Sequence, residues 1–303
     1  MQTTPRRFCH AISWLCLIVG VAAVMPALAA VPAVPAAAAA GRAASTKTWA
    51  VILDPQVPLA TRQQALAQLE QSTKSNDQHN LYLLGSLYWM GRHASGAPVQ
   101  RDLDQAAIYM SNAAIHGSLL GMAKMAEIDL AIHKYSEAMI WAQVYAHYAM
   151  QLPRDERPND GYTAELAQRI IDKLGRVGIT QAMPQVINFI ALHDADIRAG
   201  TDSDFGGRQP HPVSKARPYL TPSYRFEPKS GMADYLLAFH ADGSEAHAWL
   251  LDAIPDPALG EALQRYAREM TLPPTKAKAG DGLRYAWFPM MFDDHRYRVA
   301  PSR

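Results

Sequence analysis

From residue 59 to about residue 150 the apolar positions of this chain recur every three or four residues, and from residue 231 onward they alternate. The first pattern predicts helices with one buried face each, and the second predicts strands. Leu59, Leu66 and Leu69 mark a helix over 59–73, with Thr61 and Gln64 placed as a capping box. Leu81, Leu84, Leu87 and Tyr88 form the next stripe, and Gly85 lies inside it. A mid-helix glycine costs about 1 kcal/mol against alanine, so a closely crossing helix is the packing reason to expect. After a loop with Gly91 and Val99, Asp102 caps a further helix, with Gln105 three residues on. Ala106, Tyr109, Met110, Ala113 and Ala114 share one face of that helix, and Gly117 ends it.

The unit has a second copy. Leu119-Leu120-Gly121-Met122 repeats Leu83-Leu84-Gly85-Ser86 at a spacing of 36, and Ala138 and Trp141 repeat Ala106 and Tyr109 at a spacing of 32. The second copy has lost the glycine loop and is degenerate. The positions Leu84, Gly85, Tyr88, Gly91, Asp102, Ala106, Tyr109, Ala113, Ala114 and Gly117 together resemble one unit of the Sel-like repeat family, relatives of the tetratricopeptide repeats. The resemblance implies an α-solenoid of helix-turn-helix repeats over 48–199, with a protein-binding surface and those ten residues as its structural positions. Ordinary antiparallel helices of an all-α domain would carry the same pattern. Pro153, Pro158 and Gly161 predict a loop over 152–161, followed by helices at about 162–174 and 180–197, with Pro184 confined to the first turn of the latter.

Residues 200–230 are dense in glycine and proline and read as a linker between two independently folded units, with an edge strand over Tyr219–Phe226. Beyond it, Ala233–Ala241 and Ser244–Ala253 flank Asp242-Gly243, a hairpin signal. A two-residue turn would oppose Phe239 to Ala246, Leu237 to Ala248 and Tyr235 to Leu250 on an apolar face. The other face would pair Leu236 with Trp249, Ala238 with His247 and His240 with Glu245, and reads as exposed and polar. Asp256 and Pro257 begin a helix whose buried stripe is Leu259, Leu263, Tyr266 and Met270; Pro273-Pro274 stops it, and Leu283–Phe292 is a final strand. The overall class expected is α+β, multidomain: the helical solenoid, then a small β-β-α-β domain over 231–295. The hairpin glycine, the helix Ala258–Met270, the paired prolines and Gly280-Asp281-Gly282 make this part similar to the C-terminal domain of the energy transducer TonB. The family's transmembrane helix and long proline-rich spacer are not present, which sets this chain apart from an energy transducer.

The first 29 residues read as a secretory signal peptide, with Arg6 and Arg7, an apolar run from Ala11 to Val24, and Ala27-Leu28-Ala29 as the cleavage site. Residues 30–47 form an alanine- and proline-rich linker. The expected location is the periplasm or the exterior, with no stable membrane span after cleavage at Ala29. Both cysteines, Cys9 and Cys16, lie in the leader, so disulfides and thiol chemistry are excluded from the exported chain. The whole chain carries 29 basic and 28 acidic residues. Without the leader's two arginines the balance is near −1, and no basic patch points to nucleic acid.

Candidate chemistry is sparse. His193, Asp194 and Asp196 sit together, but two ligands on one helix face do not make a metal site. Asp293-Asp294-His295 reads as a polar tail. No zinc-protease, nucleophile-elbow, phosphate-loop or dinucleotide pattern occurs. No catalytic, metal or cofactor-binding residue is therefore assigned, and the chain is read as no enzyme. Trp89 and Arg92 lie off the repeat stripe, and an exposed aromatic beside arginine is the usual make-up of a binding hot spot. His240, His247 and Trp249 gather on one hairpin face. These five are the candidate partner-binding residues, for a protein or peptide partner in the cell envelope. The expected function is an exported adaptor; the alternatives are a cell-envelope hydrolase with the repeats as scaffold, or a component associated with a TonB-type transport system.

Overall fold

The computed structural model describes residues 46–74, 76–93, 97–153, 157–201, 212–213, 230–275 and 282–293. The leader, most of the linker over 200–230 with its expected strand Tyr219–Phe226, Gly280-Asp281, and the tail from Asp294 onward lie outside them. Helix α1 covers 46–53, and α2 (Leu59–Ser72), α3 (Gln78–Met90), α4 (Leu103–Ile115), α5 (Leu119–Ala131), α6 (Tyr135–Ala149) and α7 (Asp160–Thr201) follow. Then come β1 (Gly231–Phe239), β2 (Glu245–Ile254), α8 (Pro257–Arg268) and β3 (Arg284–Phe292). Helices first and a small antiparallel sheet after them give an α+β order.

Helices α3 to α7 pack each on the next. Asp102 caps α4 by accepting from the N–H groups of Asp104 and Gln105 at 3.1 and 3.0 Å. Ala106, Ala113 and Ala114 present no surface, and Leu84, Gly85, Gly91 and Gly117 are buried with them. A Cβ on Gly85 would stand 2.9 Å from Met110 Cε, 3.1 Å from Met110 N and 3.2 Å from Ala106 O. The glycine is thus where the backbones of α3 and α4 meet. Tyr88 and Tyr109 are half-buried and stacked at 5.8 Å, and Tyr88 donates to Glu70 of α2 at 2.7 Å.

Two local expectations need correction. Thr61 lies inside α2, which starts at Leu59 behind Pro58 with no side-chain cap. In the α7 region the break falls at Gly175, whose φ of 72° interrupts the helix, so Pro184 sits well inside the following segment rather than in its first turn. Pro184 is exposed there, so the carbonyl left without its donor has solvent to turn to.

The sheet has the order β2-β1-β3, antiparallel throughout, with α8 capped by Asp256, which accepts from Ala258 N–H at 2.9 Å. The hairpin loop is one residue longer than a two-residue turn. His240 N–H donates to Ser244 O at 2.9 Å, Gly243 N–H to His240 O at 3.0 Å, and Gly243 has a φ of 89° that glycine adopts without strain. Phe239 therefore pairs with Glu245, not Ala246, and His240 does not face Glu245. A bulge at Ala246 takes up the extra residue, so Ala238–His247, Leu237–Ala248, Leu236–Trp249 and Tyr235–Leu250 pair as a two-residue turn would have had them.

A second bulge, at Leu251, brings Asp234 opposite Asp252. Without it Asp252 would project from the other side of the sheet. Ala233, Tyr235, Leu237 and Phe239 face α8, where Leu259, Leu263 and Tyr266 are buried. The other face, expected to be polar and open, is covered by the helices for most of its length. Met232, Leu236, Leu251, Ile254 and Trp287 join one apolar core with α3 and α5. The sheet is therefore a middle layer between the helical array and α8.

Candidate functional site

Where sheet and helices meet, charge is buried. Lys124 of α5 and Asp252 of β2 present no surface, and Asp234 of β1 is 3% exposed. Lys124 Nζ donates to Asp252 Oδ1 and Oδ2 at 2.8 and 2.6 Å, to Ser86 Oγ at 2.7 Å, and to Asp234 Oδ2. Tyr82 donates its hydroxyl to the same Asp234 oxygen at 2.5 Å, and its ring lies 4.4 Å from Lys124 Nζ. One cation serves two carboxyls. Burial raises the Asp252 carboxyl to about 7 against the pull of Lys124, and the Asp234 carboxylate adds to the rise. The raised Asp252 carboxyl takes up a proton more readily than a free one, which moves the group toward neutrality, the condition under which a buried cluster is tolerated. One turn along α5, Glu127 is held by both Arg169 amino groups and by Tyr162 at 3.0 Å. The Lys124 group joins the helices to the sheet and the Glu127 group joins α5 to α7; closed to solvent, Lys124 and Asp252 offer nothing to a ligand.

The accessible feature lies at the edge of the same sheet. Among the described residues strand β2 pairs only with β1, and beside Glu245–Leu250 runs a groove of about 730 Å³. One wall is Leu53–Gln56, the turn between α1 and α2; the other is Glu261, Gln264 and Arg268 of α8. Trp249 and His247 stack in it with ring centroids 5.0 Å apart and planes at 21°. Asp54, Glu245 and Glu261 supply negative charge against Arg268. Partial burial holds the Glu245 carboxyl above the usual range, opposed by Arg268, His247 and His240.

Of the expected partner-binding residues, His247 and Trp249 share this groove. His240 is exposed at the hairpin end and does not line it. Trp89 requires correction: it is 2% exposed, its indole N–H donates to Ala253 O at 3.1 Å, and the Arg101 guanidinium lies 4.4 Å over its ring. The indole anchors α3 to β2 and cannot face a partner. Arg92 is exposed in the turn Gly91–His93, so tryptophan and arginine do not meet at the surface as expected. His193 rests against Phe189 at 4.6 Å, and Asp194 holds Arg198 and Tyr148 at 2.8 and 3.0 Å. Among the described residues no group of three metal-ligating side chains occurs, and no helix is long and apolar enough to cross a membrane.

Sequence reasoning missed Tyr82, Ser86, Lys124, Asp234 and Asp252, and with them the groove walls. A signal was present. Lys124 sits in Leu119–Leu130, Asp234 in a run of Ala, Tyr, Leu and Phe, and Asp252 behind Trp249-Leu250-Leu251. Three lone charges, each inside an apolar element, need one another.

No family model matches the chain, and neither a curated protein nor a solved structure matches it. The function is therefore argued from the geometry alone.

Proposed function

We propose that this chain is an exported protein-interaction protein, in which a Sel-like helical array is the scaffold and the groove beside β2 holds an extended segment of a partner. The observation that carries the reading is the edge strand itself: a row of backbone groups beside a channel with two walls and a stacked aromatic pair. An incoming strand would take its affinity from main-chain hydrogen bonds and its register from side chains packing against Trp249. Six residues of floor give about 20 Å of strand at about 3.3 Å per residue. Asp54, Glu245 and Glu261 favour a partner segment with basic residues. No residue does covalent chemistry in this reading. The edge strand also suits the role that the C-terminal resemblance implies, association with a TonB-type transport system.

The test is capture from envelope extracts by the exported chain, compared with Trp249→Ala, Glu261→Lys and Arg92→Ala. The expected outcome is a partner retained by the parent and by Arg92→Ala and lost from the two groove variants. Identical capture by all four proteins would overturn the assignment of the groove.

A further inference from the structure

The buried cluster between α5 and the sheet is arranged for more than an ion pair. Lys124 Nζ sits astride the Asp252 carboxyl, 2.8 Å from Oδ1 and 2.6 Å from Oδ2. Those two contacts place it about 3 Å from the carboxyl carbon, the separation of reacting atoms poised for attack. An amine and a carboxyl at that distance differ from an amide by one molecule of water. On an exposed surface such a pair stays ionic, because water solvates both charges. Here neither side chain presents any surface.

Two further features suit bond formation. The first is a proton carrier. Asp234 Oδ2 accepts from Lys124 Nζ and from the Tyr82 hydroxyl, and Asp234 faces Asp252 across β1 and β2. A carboxyl so placed can take a proton from the amine and give it to the departing oxygen. The second is the state of Asp252. Burial raises its carboxyl to about 7, so at neutral pH a large fraction holds its proton. A protonated carboxyl carries a hydroxyl that can leave as water, and a carboxylate does not. Ser86 Oγ, 2.7 Å from Nζ, and the Tyr82 ring, 4.4 Å away, hold the amine in place.

We propose that Lys124 and Asp252 join in the folded chain as an intramolecular isopeptide bond, with Asp234 as the catalytic proton carrier. Nζ gives one proton to the Asp234 carboxylate and attacks Asp252 Cγ with the freed lone pair. The N–C bond forms, and the bond from Cγ to the hydroxyl breaks. The hydroxyl leaves as water with the proton that Asp234 returns. A second Nζ proton passes to Asp234, which ends as the neutral acid. No oxidant, reductant or cofactor is needed. The group is neutral before and after, but the ammonium and the carboxylate are gone, and with them the cost of burying them. The closed interior also keeps out the water that would hydrolyse the bond. The bond ties the helices to the sheet in a chain whose only cysteines, Cys9 and Cys16, lie in the leader. The ionic cluster is the unreacted form, and the stability and pH dependence of that cluster belong to the unreacted chain. The β2 groove takes no part, so the proposal stands apart from the reading of that groove.

The experiment is the intact mass of the exported chain, incubated folded at about pH 7 and then unfolded. The expected mass is that of the sequence less one water. The expected tryptic digest holds a branched peptide, in which 102–134, uncut after Lys124, is joined to 230–265. Fragmentation of that peptide is expected to place the branch at Asp252. A chain kept in denaturant throughout retains its full mass, as does Lys124→Arg, which keeps the cation. Asp234→Asn slows the loss of water by about a hundredfold or more. Full mass in the parent after prolonged incubation overturns the proposal, whatever the variants do. So does a water lost within 230–265 alone, as cyclisation at Asp242-Gly243 would give, or a branch at Asp234. Asp234→Asn reacting as fast as the parent would overturn the part given to Asp234.

Discussion

Replacing Lys124 by methionine removes the cation that Asp234 and Asp252 share and keeps nearly the volume of its stem. The two carboxyls, paired across β1 and β2, are then left facing each other in a closed interior with Tyr82 as donor to one of them. Breaking a buried pair by removing one partner costs about 3–5 kcal/mol. A whole domain has only about 5–15 kcal/mol to lose, so the effect is large on that scale. The assay is chemical denaturation followed by tryptophan fluorescence, since Trp89 and Trp287 sit at the same interface. The pH dependence sharpens it. In the parent, the Asp252 carboxyl is raised to about 7 in the folded state and returns to the ordinary carboxylate range on unfolding. Between about pH 4 and about pH 7 the folded chain holds a proton that the unfolded chain has released, so stability falls as pH rises through that window and levels off above it. Asp252→Asn removes that slope. In Lys124→Met the two carboxyls can share a proton at low pH, so the loss is smaller at pH 5 than at pH 8. A loss below about 1 kcal/mol at both pH values would refute the cluster as a determinant of docking.

Gly85→Val places two methyl groups where a single Cβ already meets the α4 backbone, and is expected to cost about 1–3 kcal/mol; an unchanged thermal midpoint would refute the close crossing of α3 and α4. Limited proteolysis is expected to cut first after Arg208, Lys215 or Arg217, and the two fragments are expected to co-elute, because the apolar core runs from the helices into the sheet; separation of two folded fragments on gel filtration would refute this. A separately expressed 230–293 segment is expected to lack a cooperative transition, since Met232, Leu236 and Trp287 would be left bare beside two carboxyls. Mass spectrometry of the exported chain is expected to give an N-terminus near Ala30; a chain beginning at Met1 in the envelope fraction would contradict the leader.

What could be read from the sequence was local. Asp256-Pro257 gave the start of α8 and Leu259, Leu263 and Tyr266 its buried side, because cap, proline and stripe all act within one helix. Asp242-Gly243 located the hairpin, and the alternation from Ala233 set most of its register. The same alternation misled about the second face, since His247 and Trp249 look solvated when nothing tells that α3 lies over their neighbours. Trp89 was misplaced for that reason: its exposure depends on β2, more than 150 residues away. Helix α5 shows the limit most clearly. Every residue from Gly121 to Asp129 is buried, so no stripe distinguishes Lys124 from a surface lysine. In the candidate groove, Trp249 and His247 could be read from the hairpin. The walls, from Leu53–Gln56 and α8, come together only in three dimensions.

The two bulges in β2 divide the hairpin into three segments, each phased on its own. Ala246 takes up the one residue by which the loop exceeds a two-residue turn before it reaches His247 and Trp249, and Leu251 sets the phase of Asp252 apart from that of the groove floor. Removing that one extra residue would close the bulge and leave His247 and Trp249 facing the channel as before. A deletion at Leu251 would do the reverse, leaving the tip and groove floor in frame while turning the buried carboxylate out of the interior. The tip itself is pinned elsewhere, since Leu272 N–H donates to Gly243 O at 3.0 Å and Thr275 N–H to Ala241 O at 2.9 Å, so the hairpin is phased in segments and anchored at its end.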